Sequence, residues 1–384
     1  MSTTLFPLAF VGVMYLMNAY VYRRLIKRLH FNIQNISFIF LTALFVLEIF
    51  FVVQMIFHPI KESPTLYYTL SLSVALTVSL FFITLLYDLV HTTAQQIPFD
   101  QGRRRFMKIA FDVTMLILAF SYILKGLIGG IKRPELNKVD VFIKDLGFEE
   151  LSIVQLTDVH VGNTIGKDFV AECVERINVL KPDIVVITGD LVDRKIEDAK
   201  DDLSPLKELQ TKFGTYFVLG NHEYYHGAED IAAYMPELNI KALLNESVII
   251  SDGEHQINLV GINDIQSIRF NTLPIDTYKA FENVDKSIPT VLLSHQPKSI
   301  EMVKEKRYDL MLSGHTHGGQ IFPFGFLVML QQPYLSGLHA ITATKQIFVS
   351  RGTGYWGPPV RVFAPSEISV LTLKPATDVK ITNT

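Results

Sequence analysis

The sequence predicts a mixed α/β domain, residues 132–384, preceded by a membrane domain, residues 1–131, of about four transmembrane helices. Three observations predict it. Four long apolar stretches occupy the first 131 residues. Beyond Gly129-Gly130, short β-branched runs alternate with a helix-period segment. Each early run ends in a cluster of small and polar residues.

Composition agrees. Hydrophobic residues make up 49% of the 384 and charged residues only 19%, with a mean hydropathy of +0.27. A soluble domain carries about 25% charged residues, so disorder is excluded and a purely soluble protein is disfavoured. Residues 1–130 hold ten Lys/Arg against five Asp/Glu, and the remainder 25 against 33. An acidic C-terminal part argues against nucleic acid as a partner. The single cysteine, Cys173, excludes an intramolecular disulfide and a Cys-based zinc site, so His, Asp, Glu or Asn must hold any metal.

The apolar stretches run Leu5–Tyr22, Ile36–Phe57, Leu66–Tyr87 and Phe111–Ile131. A bilayer core needs about 20 apolar residues as helix, and each stretch reaches or approaches that. The third has no charge, whereas a soluble core helix of that length would keep a polar face. Basic residues set the orientation. Arg23, Arg24, Lys27 and Arg28 follow the first span, and Arg103, Arg104, Arg105 and Lys108 follow the third. The second loop has only Lys61. Both basic loops are expected in the cytoplasm, making the protein multi-pass and its catalytic domain extracytoplasmic.

Two features of this part have two readings each. Glu48 lies in mid-span, where a carboxylate is costly. It is either a proton or partner site, or a protonated acid bonded to a neighbouring helix. Arg103-Arg104-Arg105-Phe106-Met107-Lys108 matches a twin-arginine export signal, or is an ordinary positive-inside loop. No small-residue cleavage site follows the fourth span, so the domain is expected to stay tethered.

Residues 132–384 contain runs at Ser152–Leu156, Ile184–Ile187, Tyr216–Leu219, Val291–Leu293, Leu310–Leu312 and Ile347–Val349. Their near-continuous hydrophobicity fits strands buried on both faces. Lys167–Leu180 has helical spacing of Phe169, Val170, Cys173, Val174, Ile177 and Leu180 and stops at Lys181-Pro182. Cys173 therefore reads as core. Val248–Ser251, Gln256–Ile262 and Ile368–Leu373 alternate as antiparallel strands do, and suggest a second sheet packed on the first.

The polar clusters are Asp158-x-His160, Gly189-Asp190-x-x-Asp193, Gly220-Asn221-His222-Glu223, His295 and Gly314-His315-x-His317. Strand periodicity would put Asp158 with His160, and His315 with His317, on one face. The glycines allow a sharp turn where a side chain would crowd a cavity. Each block alone is weak. Five in order, each after a predicted strand at a sheet's carboxyl end, form a ligand site.

The wider frames IVQLTDVHVG, VVITGDLVD, FVLGNHEYY, LLSHQP and LSGHTHGGQ resemble the calcineurin-like metallophosphoesterases over roughly residues 136–373. Within that family they look like a bacterial, export-linked subgroup of phosphodiesterases, some associated with lipid-linked or cell-wall substrates. The twin-arginine-like stretch resembles that subgroup too. The three spans before it depart from its simplest members. The resemblance implies a four-layer αββα sandwich holding two metals. Asp158, His160, Asp190 and His317 would hold the first, with Asp190 bridging to Asn221, His295 and His315 at the second. His222 would sit by the phosphate as the catalytic proton donor without binding metal.

Four imidazoles, two carboxylates and one amide suit Mn, Fe or Zn as divalent ions. Such a pair shares a hydroxide and clamps phosphoryl oxygens for in-line attack. Asp193 either orients a ligand histidine or is a helix N-cap or surface charge, and Glu223 reads as loop structure. Arg351 either touches phosphate or pairs with a carboxylate. The apolar segment Ile321–Leu338, directly after His317, either docks on a bilayer or acyl chain, or is core or a contact with this chain's own helices.

The expected function is a membrane-anchored dinuclear phosphodiesterase acting on a lipid-linked or cell-envelope substrate. A pyrophosphatase on a nucleotide-linked lipid or sugar is the alternative. A metal-dependent scaffold or sensor without turnover is the reading of another class. Lipid bilayer and phosphodiester substrate are the expected partners.

Overall fold

The computed structural model describes residues 5–57, 63–94 and 101–376. Lys61 lies outside them. The chain divides into two compact units, one of residues 1–131 with 357–362, the other of residues 132–356 with 363–384.

The first unit contains α1 (Leu5–Arg24), α2 (Gln34–Phe57), α3 (Pro64–Ala94) and α4 (Gln101–Ile131). Three helices among the described residues are long and apolar enough to cross a membrane: Gln34–Phe57, Pro64–Thr93 and Arg105–Ile131. This corrects the expected four to three. The first stretch is helical, but its 20 residues include Asn18 and end on Arg23 and Arg24, which shortens its apolar part. It still packs with the others. Val21, Leu44, Tyr87 and Met115, one from each helix, belong to a single buried cluster.

Polar side chains are tied inside this unit. Glu48 is buried and accepts a 3.0 Å hydrogen bond from Asn18 Nδ2, so its carboxyl group is bonded to a neighbouring helix. The two basic segments meet at one end. Arg28 pairs with Asp88, and Lys108 Nζ bonds to the Arg28 carbonyl and to Asp112. The twin-arginine-like stretch forms the first turns of α4. Near the other end of α4, Arg361 N–H donates to the Gly126 carbonyl at 2.9 Å. A Cβ on Gly130 would stand 1.8 Å from the Pro359 carbonyl oxygen, so only glycine admits that approach.

Among the described residues, the second unit holds twelve strands in two sheets. The first sheet runs β1-β12-β2-β3-β4-β5, from β1 (Glu135–Ile143), β12 (Glu367–Pro375), β2 (Leu151–Leu156), β3 (Ile184–Thr188), β4 (Thr215–Val218) and β5 (Ile240–Ala242). The second runs β10-β11-β9-β8-β7-β6, from β10 (Gly337–Ala340), β11 (Gln346–Val349), β9 (Leu310–Ser313), β8 (Thr290–Leu293), β7 (Gln256–Gly261) and β6 (Glu246–Ser251).

Side-chain alternation builds the layers. In β3, Ile184 and Val186 enter a core shared by both sheets, while Val185 and Ile187 face helices on the outside. In β9, Leu310 and Leu312 enter the shared core and Met311 faces outward onto Ile300 and Val303. Each such side chain contributes about 1.5–3 kcal/mol when fully buried. The outer face of the first sheet carries α5 (Lys167–Leu180) and α6 (Ile196–Leu203). Cys173 is among the buried residues there. The result is the four-layer αββα sandwich.

Two strand assignments are corrected. Ile368–Leu373 does not join the second sheet. It lies inside the first, parallel to β1 and antiparallel to β2. The small residues that made it look alternating, such as Ser369, are buried in a strand covered on both faces. The second sheet is mostly parallel, with β7, β8, β9 and β11 in succession. Strand β1 was not foreseen. It is an edge strand whose first half is solvent-facing.

Candidate metal centre

Each polar block follows a strand with parallel neighbours. Blocks after β2, β3 and β4 come from one sheet, and blocks after β8 and β9 from the other. They gather at the carboxyl ends, where open α/β sheets bind ligands.

Local conformation differs from a simple strand extension. Asp158, His160, Asp190, His315 and His317 have φ of 53°, 55°, 51°, 71° and 51°. Their side chains therefore converge through successive left-handed kinks rather than through pleat alternation, which corrects the strand-face expectation. Such residues cost about 1–3 kcal/mol each and persist where surroundings over-determine them. The surroundings do so here. Asp158 N–H bonds the Gly189 carbonyl at 3.0 Å, and His160 N–H bonds the Asp190 carbonyl at 3.1 Å. His315 N–H donates to Asp158 Oδ2 at 2.9 Å. A Cβ on Gly314 would stand 2.2 Å from Asp158 Oδ2, so that approach needs glycine.

Three groups of donor atoms result. Asp158, His160 and His317 form one, Asp190, His295 and His315 another, and His160, Asp193 and His222 a third that shares His160 with the first. His160 Nε2 lies 3.0 Å from His317 Nε2, and His317 Nε2 lies 3.3 Å from Asp158 Oδ1. His295 Nε2 lies 3.1 Å from Asp190 Oδ2, 3.1 Å from Asn221 Oδ1 and 3.2 Å from His315 Nδ1. Asp190 Oδ2 is also 4.0 Å from His160 Nε2, so this carboxylate stands between the first two groups.

The tautomers decide what these atoms offer. His160 Nδ1 is 2.7 Å from Asp193 Oδ1, and His295 Nδ1 is 2.8 Å from the Thr188 carbonyl. Both partners only accept, so each Nδ1 carries a proton, and each Nε2 is left to take a second proton or a metal. Ring nitrogens, carboxylate oxygens and an amide oxygen thus face one another. Atoms gathered in this way require shared cations, either protons or metals. Seven nitrogen and oxygen donors fit two borderline divalent ions.

Charge follows the same pattern. Burial opposes charge on His295, but Asp190 outweighs it and raises the imidazole well above its usual range. Burial likewise opposes ionisation of Asp190, yet His295 and His222 hold it well below the usual carboxylate range. Burial and then His295 push His315 down to about 3.

His222 opens the short helix α7 (Asn221–His226). Its Nδ1 is 2.7 Å from Asp193 Oδ1 and its Nε2 is 3.9 Å from Asp190 Oδ2. Burial lowers its pKa, but Asp190 and Asp193 outweigh that and lift it to about 9. Asp193 therefore touches both His160 and His222, and is not a helix cap. Arg351 pairs with the buried Glu367 through Nε at 2.6 Å, which is the carboxylate-pairing reading. Its stem would meet a Cβ on Gly318 at 2.9 Å, beside His317.

Glu223, read as loop structure, does hold the loops: it accepts N–H bonds from Gly220, Asp190, Leu191 and Val192 at 2.6, 2.9, 2.7 and 3.3 Å. Two aromatic residues went unread. Tyr225 and Trp356 flank the His222 ring at 5.2 and 6.4 Å between centroids. Trp356 lies 134 residues away in sequence, and no spacing announces it.

Two facing sheets with paired His/Asp groups at their carboxyl ends define a metal-dependent phosphoesterase. Comparison with known proteins narrows the class. The family described as Calcineurin-like phosphoesterase matches residues 151–319. A Campylobacter jejuni protein described as an uncharacterized metallophosphoesterase is 35% identical over 365 residues, covering 94% of this chain and 95% of its own. One from Helicobacter pylori is 42% identical, covering 77% and 79%. A Bos taurus transmembrane protein with metallophosphoesterase domain is 36% identical, covering 72% and 65%. The chain belongs to the calcineurin-like metallophosphoesterase family, whose members are phosphoric ester hydrolases, and it is a membrane protein.

Proposed function

We propose that this chain is a dinuclear phosphodiesterase acting on a lipid-linked or cell-envelope phosphodiester. The observation that carries the reading is the adjoining pair of His/Asp groups, with Asp190 Oδ2 3.1 Å from His295 in its own group and 4.0 Å from His160 in the other. Asp158, His160, Asp190 and His317 would hold one ion, and Asp190, Asn221, His295 and His315 the other. Two divalent ions held there would supply Lewis-acid polarisation of the phosphoryl group and an acidified water at neutral pH.

The chain's own residues do the rest. Asp190 Oδ1 accepts the His222 backbone N–H at 2.8 Å, which leaves Oδ2 facing the donor groups. Asp193 holds two imidazoles by Nδ1 and turns their Nε2 atoms inward. His222, raised to about 9, carries a proton at neutral pH. That suits it to protonate the leaving alkoxide oxygen. The meeting of both basic segments at one end of the helical unit supports an orientation with those segments cytoplasmic and the catalytic unit outside. Export through the twin-arginine-like stretch belongs to the same proposal.

The test is turnover of bis(p-nitrophenyl) phosphate by the full chain with Mn²⁺, beside Asp190→Asn. Metal-dependent turnover that the variant loses supports the reading. Two bound metals without turnover would favour the scaffold or sensor.

A further inference from the structure

We propose that the segment after His317 is a membrane-docking face, seating the metal centre against the lipid bilayer surface. No Asp, Glu, Lys or Arg occurs from Thr316 to Thr344. Ile321 is buried and Tyr334, Leu338 and Ile341 pack against the core, but the apolar side chains between Phe322 and Leu330 are largely exposed. Leu330 is 79% exposed and Phe326 65%, and Phe322, Leu327 and Met329 are exposed with them. Their rings form one surface. Phe322 stands 6.0 Å from Phe326 and 5.8 Å from Phe363, itself 65% exposed.

The projection is fixed at its base. Gln320 and Trp356 exchange two bonds, Nε2 to carbonyl at 2.9 Å and N–H to Oε1 at 3.0 Å. Thr316, between the two ligand histidines, donates to the Leu335 carbonyl at 2.6 Å. Gln332 is buried and bonds Gln296, the residue after His295, at 3.2 Å. Side chains next to three of the site's histidines thus hold the apolar face. An exposed contiguous apolar patch on a rigid base marks an interaction surface.

Its occupant follows from the chain. Phe363 directly succeeds residues 357–362, which belong to the compact unit of membrane helices. In that unit Arg361 N–H bonds Gly126, near the end of the last span. The aromatic face is therefore one peptide from a segment packed on a membrane helix. An uncharged face of Phe, Leu and Met in that position suits the boundary between headgroups and acyl chains. The consequence for substrate rests on the hydrolase reading: the centre would meet phosphoesters of lipids at the surface rather than free phosphoesters. The docking itself does not rest on it.

Because the lone Cys173 is buried, a single introduced cysteine can be labelled. Leu330→Cys and Val179→Cys, both at highly exposed positions, would each carry an environment-sensitive fluorophore in the full chain. The vesicles would be equimolar phosphatidylethanolamine and phosphatidylglycerol with nitroxide-bearing acyl chains. Quenching at position 330 should exceed that at 179 by about fivefold or more, as for an interfacial apolar face. Equal quenching overturns the proposal. So does disulfide formation between copies through position 330 without lipid quenching, which would make a second chain the occupant. Unchanged bis(p-nitrophenyl) phosphate turnover in both labelled chains shows that they are folded. Absence of turnover in the unlabelled chain would remove the hydrolase reading and leave the quenching result standing.

Discussion

Asp193 Oδ1 lies 2.7 Å from Nδ1 of His222, and the opposite ring nitrogen, Nε2, lies 3.9 Å from Asp190 Oδ2. The same oxygen holds His160. One carboxylate thereby contacts both the proposed proton donor and a proposed metal ligand. Asp193→Asn should lower kcat/KM by about 10–100-fold, the usual cost of losing an outer-shell partner. It should also displace the pH profile. His222 is raised to about 9 by Asp190 and Asp193, against its burial. Without the Asp193 charge its pKa falls, so the basic limb of kcat, where a general acid deprotonates, should move to lower pH. A lower rate with an unmoved limb would assign Asp193 a purely structural part.

His222→Ala tests the proton-donor role directly. The imidazole stands 3.9 Å from Asp190 Oδ2 and is absent from the two groups proposed to bind metal. Its removal should lower kcat by about 10²–10⁴-fold with metal content intact. Metal content by elemental analysis, taken beside turnover, separates the roles. Loss of one ion per chain would make His222 a ligand through the arrangement it forms with His160 and Asp193.

Metal uptake should release protons. The metal-free centre balances its carboxylates with imidazolium, chiefly on His295, whose pKa Asp190 raises well above the usual range despite burial. A divalent ion needs the neutral imidazole. Affinity should therefore rise with pH and fall as the solution is acidified through neutrality. Calorimetry in buffers of different ionisation enthalpy would count the protons. A proton count of zero at neutral pH would mean that His295 is already neutral and the charge sits elsewhere.

Much of this centre was legible because its chemistry demands particular residue types at strand ends. Seven proposed donors follow five buried runs, and periodicity marks those runs well. The manner of convergence was not legible. Nothing in Asp158-x-His160 distinguishes pleat alternation from two left-handed residues, since the kinks are imposed by bonds to Gly189 and Asp190 from the neighbouring strand. Sheet membership was equally hidden. Ser369 and Thr372 give β12 an alternating look, yet Ser369 is satisfied within the core by Ser350 and Glu367. Asn18 in α1 shows the converse. Its polarity interrupts an apolar span, and the structure gives it Glu48 of the neighbouring helix α2 as a partner.

Glu223 supplies the last prediction. Its carboxylate is fully buried and gathers four backbone N–H groups, two of them from Asp190 and Gly220, which flank the donor groups. The side chain pins the turn after β3 to the start of α7, so Asp190 and Asn221 keep their spacing. Leaving a buried N–H unpaired costs about 1–3 kcal/mol, and Glu223→Ala orphans several. Unfolding of the catalytic unit should shift by several kcal/mol, with metal occupancy falling in parallel. Glu223→Gln keeps one acceptor oxygen but brings an amide NH₂ against the remaining donors. It should therefore lose more than half of what Glu223→Ala loses, measured by thermal unfolding with and without Mn²⁺. A Gln variant as stable and as well loaded as the parent would show that the turn is held by its own backbone, and that Glu223 merely fills the space.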